Sequence, residues 1–176
     1  NRRIFAVARL QPGFESDYEG RPPIFDVCGV GFIESCTERG DGRFDVGLRG
    51  LARVRIASEL PPLRAFRQVR AALLKDAVPL PALVAAWQSK LAALWVRLAP
   101  HLPEPVRDLK ALTRGADDAA AYSDRLAAAL VPDPEASQEL LHELDPGERL
   151  RVLTSRVHEL VDALSPGSVA RDNALN

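Results

Sequence analysis

The sequence contains no methionine, only two cysteines, and few aromatic residues, which make up 6% of its 176 positions. Two cysteines cannot build a disulfide scaffold, and their small number is typical of a reducing cytoplasm, where we expect this protein to act. The longest stretch without a charged residue, positions 77–89, contains prolines and is too short to span a bilayer. Because position 1 is also not methionine, we expect the natural chain to begin before Asn1.

Lysine is also scarce, and its positions exclude two catalytic motifs. The lysines are Lys75, Lys90 and Lys110. None follows a glycine, as the lysine of a phosphate-binding loop must. Ser89 and Lys90 are neighbours on a predicted helix, where side chains diverge by about 100° and cannot share a proton. His158 and Asp162 lie one helical turn apart without a third ligand nearby, which favours an exposed polar pair over a metal site. We therefore expect no enzymatic activity and no cofactor or metal.

The first 76 positions show the period-two pattern of β-strands. Strands are predicted at 3–10, 24–35, 44–56 and 65–76. Asp41 and Gly42 mark a hairpin turn before the third strand. Gly29 and Gly31 share one face of the second strand and indicate a bulge or a close backbone approach. Cys28 alternates with apolar neighbours, so we expect both Cys28 and Cys36 to be buried thiols.

The third strand is unusually long, because every even position from 44 to 56 is apolar or glycine. This alternation predicts one continuous buried face. The buried side chains would be Phe44, Val46, Leu48, Val54 and Ile56. The outer face would carry Arg49, Arg53 and Arg55. Gly50, in the middle of the inner row, is a natural corner where a small antiparallel sheet bends into a barrel.

From position 77 the apolar spacing changes to about 3.6 residues, which predicts helices. Trp87, Leu91 and Trp95 share one face of a long first helix and are expected to be mainly core. Two later helices open with Asp-Pro, and Glu148 would complete a capping box with Asp145. The predicted fold is α+β: a small bent antiparallel β-barrel at 1–76, a helical bundle at 77–164 and a polar tail at 165–176.

Two groups of residues are candidates for binding. Phe14 and Tyr18 lie on a long loop at 11–25, where they either fold back on the sheet or stay exposed to contact a ligand. Arg49, Arg53 and Arg55 form either a solvated charged face or a contact to a protein. No aromatic residue alternates with these arginines, so the stacking platform that single-stranded nucleic acid needs is missing.

The segment DGRFDVGLRGLARVRI, residues 41–56, resembles the signature hairpin of the Lon N-terminal domain, the substrate-recognition module of ATP-dependent Lon proteases. VCGVGFIES before it is similar to the preceding strand of that family, and LVPDPEASQELLHELDPGERLRVLTSRVHEL is similar to its closing helices. The resemblance covers about residues 4–164 and implies a PUA-like barrel followed by helices. It also implies a non-catalytic module that binds unfolded or hydrophobic protein segments, with a protease or a chaperone as a further partner.

Family members begin with a strand pair and a helix that precede anything present here, so a further segment is expected before Asn1.

Two alternatives to a stand-alone protein-binding module remain open from the sequence. The polar, aperiodic C-terminus favours a stand-alone protein, whereas the N-terminal domain of a complete Lon protease would continue past Asn176. The other alternative, an RNA-binding PUA-like barrel, predicts an affinity for RNA that falls steeply with salt.

Overall fold

The computed structural model describes residues 3–164, which divide into a sheet unit and a helical unit between Lys75 and Asp76. The sheet unit contains four antiparallel strands, paired in chain order. They are β1 (Ile4–Val7), β2 (Val27–Glu38), β3 (Phe44–Glu59) and β4 (Val69–Leu74). Within the described residues β1 and β4 are the edges, so the predicted barrel is an open four-stranded meander there. The predicted tail at 165–176 lies outside these residues.

The turn between β2 and β3 is the one that the sequence indicates. The backbone N–H of Arg39 donates to the carbonyl of Arg43 across the turn at 2.8 Å. Gly40 and Gly42 have φ angles of 56° and 80°, a left-handed conformation that side chains disfavour. Asp41 accepts a hydrogen bond from the backbone N–H of Arg43 at 3.0 Å. These local bonds fix the hairpin and therefore the pairing of its two long strands.

A β-bulge at Leu51 divides β3 into two halves with opposite orientations. Gly31 of β2 pairs with Gly50, whereas its neighbour Val30 pairs with Ala52, so Leu51 is an extra residue on β3. Adjacent residues of β2 point to opposite faces, and their partners must do the same. The even positions of β3 up to Gly50 therefore lie on one face of the sheet. The even positions from Ala52 to Ile56 lie on the other face.

The prediction of a single buried face along the long strand was wrong, since the bulge places its even positions on two different faces. Val54 is buried and Ile56 is half-buried, as expected. Phe44, Val46 and Leu48 are instead exposed. The three arginines do not form one row either: Arg49 lies before the bulge and Arg53 and Arg55 after it, on opposite faces. A bulge of one residue exchanges the two faces while leaving the sequence alternation intact.

The buried apolar residues of the sheet unit are few: Val27, Cys28 and Val54. Burial raises the pKa of the Cys28 thiol, and the nearby Asp26 carboxylate raises it further. The prediction that both cysteines are buried was wrong for Cys36, which is exposed. Cys36 lies beyond a second irregularity, between Ile33 and Ser35, on the outer part of the hairpin. The two thiols are both free.

The helical unit holds the main hydrophobic core. Its helices are α1 (Pro81–Leu98), α2 (Glu104–Arg107), α3 (Leu109–Leu112), α4 (Ala119–Leu130), α5 (Pro134–His142) and α6 (Pro146–Ala163). The α+β class, with an antiparallel sheet first and helices after it, is confirmed. Leu91 and Trp95 of α1 pack in this core with Leu126 of α4 and Leu153 of α6. None of the helices within residues 3–164 is long and apolar enough to cross a membrane.

The caps of α5 and α6 follow the sequence with one difference. Asp133 accepts from the N–H of Ala136 at 2.8 Å, and Asp145 accepts from the N–H of Gly147 at 2.7 Å. The predicted bond from the Asp145 N–H to Glu148 is replaced by a bond to Glu143 Oε1 at 2.7 Å. Glu148 pairs with Arg151 instead, at 2.7 Å. The Asp145 and Gly147 N–H groups at the start of α6 are therefore both satisfied by side-chain carboxylates, as in a capping box.

A buried ion pair joins the start of the helical unit to α6. Arg149 is 1% exposed, and its guanidinium donates to both Asp76 carboxylate oxygens, at 2.9 and 3.1 Å. It also donates to Ser123 Oγ at 3.0 Å and to the Glu143 carbonyl at 2.9 Å. A buried guanidinium requires this degree of pairing because its desolvation is costly. The sequence indicated the burial of Arg149 only indirectly, because Arg149 lies one helical turn before Leu153 and therefore on the same face of α6.

Candidate functional site

The described residues contain no cluster of three or more His, Cys, Asp or Glu side chains that could hold a metal ion. His158 Nδ1 and Asp162 Oδ2 are 3.0 Å apart on α6, and both side chains are more than half exposed. Two exposed side chains supply only two of the ligands that a protein metal site needs, so this pair is a surface ion pair and not a candidate metal site. Candidate sites are therefore surfaces on which apolar or aromatic side chains are exposed.

Five exposed apolar side chains share one face of the sheet. Phe5 of β1 pairs with Gly31, which in turn pairs with Gly50 of β3, and paired residues in antiparallel strands lie on the same face. Every second residue along β1 and β3 joins this face up to the bulge. We call the resulting group the apolar strip: Phe5, Val7, Phe44, Val46 and Leu48. Their side chains are between 37% and 56% exposed.

Glycines beside the apolar strip leave the sheet backbone without side chains on this face. Gly29 pairs with Val7 and Gly50 belongs to the Phe5 row, so both lie on the same face. A Cβ atom at Gly29 or Gly50 would meet no other atom within 4 Å. At Gly31 a Cβ would lie 3.0 Å from the Arg49 carbonyl oxygen, so a close strand approach requires this glycine. The bare backbone between Phe5 and Leu48 leaves room for another chain to approach.

The predicted arginines are separated by the sheet. Arg53 and Arg55 share the face of the apolar strip, with Arg53 half-buried. Arg55 is exposed and lies 3.3 Å from the Asp26 carboxylate. Arg49 is on the opposite face, where it forms an ion pair with Glu34 at 2.7 Å and covers the Phe32 ring at 5.8 Å. The expectation of a three-arginine surface was therefore wrong, for the same reason as the buried face.

Phe14 begins a short 3-10 turn, Phe14–Asp17, and Tyr18 is the residue that follows it. Their ring centroids are 6.0 Å apart, Phe14 is half-buried, and Tyr18 is 63% exposed. The loop that carries them is held at its base, where Arg21 forms an ion pair with Glu59 at 2.7 Å. Arg67 bonds both Glu59 and the Pro22 carbonyl. The aromatic pair is thus presented on a loop anchored at the Glu59 end of β3, whereas the apolar strip extends to the Phe44 end.

The tryptophans of α1 contribute little accessible surface. Trp95 is buried, and its indole N–H donates to the Arg107 carbonyl at 2.9 Å. Leu91 is completely buried. Trp87 is half-buried and has the Lys90 ammonium 5.5 Å from its ring centre. Trp95 and Leu91 are core residues, as their helical spacing predicted.

The strip was missed because alternation assigned its β3 residues to the core. The signal that could have found it is the glycine content of the paired strands, since Gly29, Gly31 and Gly50 together indicate an irregular ladder and a bare surface. A bulge near Gly50 exchanges the two faces, so Phe44, Val46 and Leu48 no longer share a face with the buried Val54.

The family model of the ATP-dependent protease La (LON) substrate-binding domain matches residues 1–159. Among solved structures, the N-terminal domain of Lon protease from the Mycobacterium avium complex is similar, with a TM-score of 0.63 and 17% identity over 90% of this chain and 91% of that one. A Lon N-terminal domain protein from Xanthomonas campestris aligns with a TM-score of 0.49 and 18% identity, over 86% and 88% of the two chains. The comparison with curated proteins found no match. Because the family match spans most of the sequence and the Mycobacterium structure shares its fold, this chain belongs to the Lon substrate-binding domain family.

Proposed function

We propose that this protein is a non-catalytic recognition module that binds unfolded or hydrophobic segments of other proteins. The observation that carries the proposal is the apolar strip, since five large apolar side chains share one accessible face of the sheet. Exposed apolar side chains that cluster in this way are typical of protein-binding surfaces. Family membership supports the same direction, because the matching family is described as substrate-binding.

The strip can supply a useful binding energy without a deep pocket. Complete burial of a large aliphatic side chain yields about 1.5–3 kcal/mol, so burying the exposed half of one yields about 1 kcal/mol. Val46 and Leu48 together would then contribute about 2 kcal/mol, or about thirtyfold in affinity. The side chains make few directional bonds, so segments of many sequences could bind. This matches the requirement of a module that recognises unfolded chains.

The other predicted binding residues have secondary positions in this proposal. Tyr18 and Phe14 form a second aromatic contact on their anchored loop. Arg53 and Arg55 border the strip and would attract acidic groups that flank an apolar segment. Arg49 would reach only a partner that extends to the opposite face.

The experiment uses the two free cysteines as an internal probe. Cys36 is exposed and pairs directly with Val46, whereas Cys28 is buried. A permanently unfolded, carboxymethylated protein has no free thiols of its own, and its binding should slow alkylation of Cys36. The double substitution Val46→Ser and Leu48→Ser should weaken this binding by about thirtyfold. Val96→Ser is the matched control, because Val96 is 76% exposed on α1 of the helical unit.

Three results would contradict the proposal. They are unchanged alkylation of Cys36 at saturating unfolded protein, equal binding by the strip variant and the wild type, and equal weakening by Val96→Ser. Thermal unfolding of each variant checks that the sheet remains folded.

The finer predictions have their own tests. We propose that the module works in the cytoplasm as a separate chain that passes bound segments to a protease or chaperone. A parent reading frame that ends shortly after Asn176 supports this, whereas ATPase and peptidase domains after it favour the N-terminal domain of a full protease. RNA binding is disfavoured by the carboxylate partners of Arg49 and Arg55. Strong, salt-sensitive retention of single-stranded RNA would reverse that assessment.

A further inference from the structure

A groove in the helical unit lies between α5 and α6 and has a volume of about 460 Å³. We call it the α5–α6 groove. Its lining includes the buried Leu140 and Leu153, the small Ala136 and the 40%-exposed Val152. The volume is within the usual range of protein binding pockets, about 300–1,000 Å³. None of its lining residues belongs to the sheet unit, so it is a different surface from the apolar strip.

The rims of the groove are charged and mainly acidic. Four carboxylates and two guanidinium groups line it: Asp133, Glu139, Glu143, Glu148, Arg151 and Arg156. Most of these groups already have partners. Asp133 and Glu143 accept backbone bonds at the helix starts, and Glu148 pairs with Arg151.

Glu139 is the acid of the groove that remains available. Its side chain has no hydrogen bond or ion pair to any other residue in the range 3–164. It is exposed in the middle of α5, one residue before the buried Leu140. A cation beside Glu139 would therefore meet a carboxylate that has no competing partner and lies next to an apolar floor.

We propose that the α5–α6 groove is a docking site for an amphipathic helix that carries basic residues along one flank. A groove between two helices suits a third helix, whose apolar side chains at i, i+3, i+4 and i+7 insert between the walls. The small Ala136 and the exposed Val152 mark where such side chains enter. The excess of carboxylates selects Lys or Arg on the flank that faces α5, and it disfavours anionic partners such as nucleic acid.

The test uses a fluorescein-labelled helical peptide with leucines at i, i+3, i+4 and i+7 and lysines on its flanks. A second peptide has glutamate at every lysine position. Fluorescence anisotropy with the full chain should show that the lysine peptide binds at least about tenfold more tightly than the glutamate peptide. Glu139→Gln should weaken the lysine peptide by about threefold, which is typical of an exposed ion pair. Glu135→Gln is the control, since Glu135 lies on α5 outside the groove lining.

The apolar part of the site is tested separately. Val152→Ser should weaken the lysine peptide by about fivefold, whereas Val96→Ser on α1 should have no effect. Both valines are exposed, so neither substitution should unfold the chain. The variant with Val46→Ser and Leu48→Ser should bind the peptide as the wild type does.

Several outcomes would overturn the inference. One is equal affinity for the two peptides, and another is no binding of either. Unchanged binding by Val152→Ser would show that the peptide does not enter the groove, and loss of binding in the strip variant would assign it to the sheet. A concentration-dependent dimer that Val152→Ser abolishes would assign the groove to a second copy of the chain.

Discussion

Replacing Asp76 with alanine removes the main counter-charge of a buried arginine. Arg149 is 1% exposed and donates two of its hydrogen bonds to the Asp76 carboxylate, at 2.9 and 3.1 Å. Breaking a buried ion pair from one side costs about 3–5 kcal/mol, because a desolvated charge is left without its partner. Asp124 remains 3.7 Å from the guanidinium and is 44% exposed, so we expect the lower end of this range, about 3 kcal/mol.

Urea unfolding followed by far-ultraviolet circular dichroism measures this loss. With a denaturant slope of about 1.5 kcal/mol per molar urea, a loss of 3 kcal/mol lowers the midpoint of the helical transition by about 2 M. Domains have total stabilities of only about 5–15 kcal/mol, so this loss is between about a fifth and three fifths of the total. Arg151→Met is the control, because the exposed Arg151–Glu148 pair should contribute less than about 1 kcal/mol.

A double substitution separates ion pairing from packing. If the cost of Asp76→Ala comes from the unpaired charge, adding Arg149→Met should restore about half of the lost free energy of unfolding, or about 1.5 kcal/mol. The reasoning would be refuted by an Asp76→Ala variant within about 1 kcal/mol of the wild type. It would also be refuted by a double variant less stable than Asp76→Ala, since the guanidinium would then stabilise the helices without its partner.

Three further predictions concern the sheet unit. In the native protein Cys36 should react rapidly with a thiol reagent. Cys28 should react only after denaturation, because burial shields its thiol and raises its pKa. Two rapidly reacting thiols per chain would contradict the fold. Phe14→Ser combined with Tyr18→Ser should weaken binding of an unfolded protein and leave the melting temperature within a few degrees, whereas a large loss of stability would make these aromatics packing residues. Hydrogen bonds from Arg67, and to a smaller extent from Arg21, lower the pKa of Glu59. The contribution of the ionised Glu59 to stability is therefore present at neutral pH and is lost as the pH falls through the lowered folded-state pKa. Glu59→Gln should accordingly destabilise the protein at pH 7 and have little effect in strong acid, and an equal effect at both pH values would show that the charge is not responsible.

Local features of this protein could be read from its sequence. The hairpin turn depends on Gly40 and Gly42 and on bonds between residues at most four positions apart. The starts of α5 and α6 depend on Asp133 and Asp145, whose side chains reach backbone N–H groups two or three residues onward. Because partners this close are fixed by chain geometry, the order and type of the elements followed from the sequence pattern.

The candidate site depended on partners that are distant along the chain. Phe44, Val46 and Leu48 are placed on the face opposite to Val54 by the extra residue at Leu51, which exists only relative to the register of β2. The α5–α6 groove likewise exists only once two helices are packed together.

The sequence by itself determined an antiparallel sheet followed by helices, the turns and caps that delimit them, and the resemblance that the family match confirmed. The tertiary structure alone decided which residues of the long strand meet solvent. It also decided that Arg149 would be buried against Asp76, 73 positions away. The physical reason is that alternation specifies two faces but not their environment, and that a buried charge is tolerated only where the folded chain brings its counter-charge.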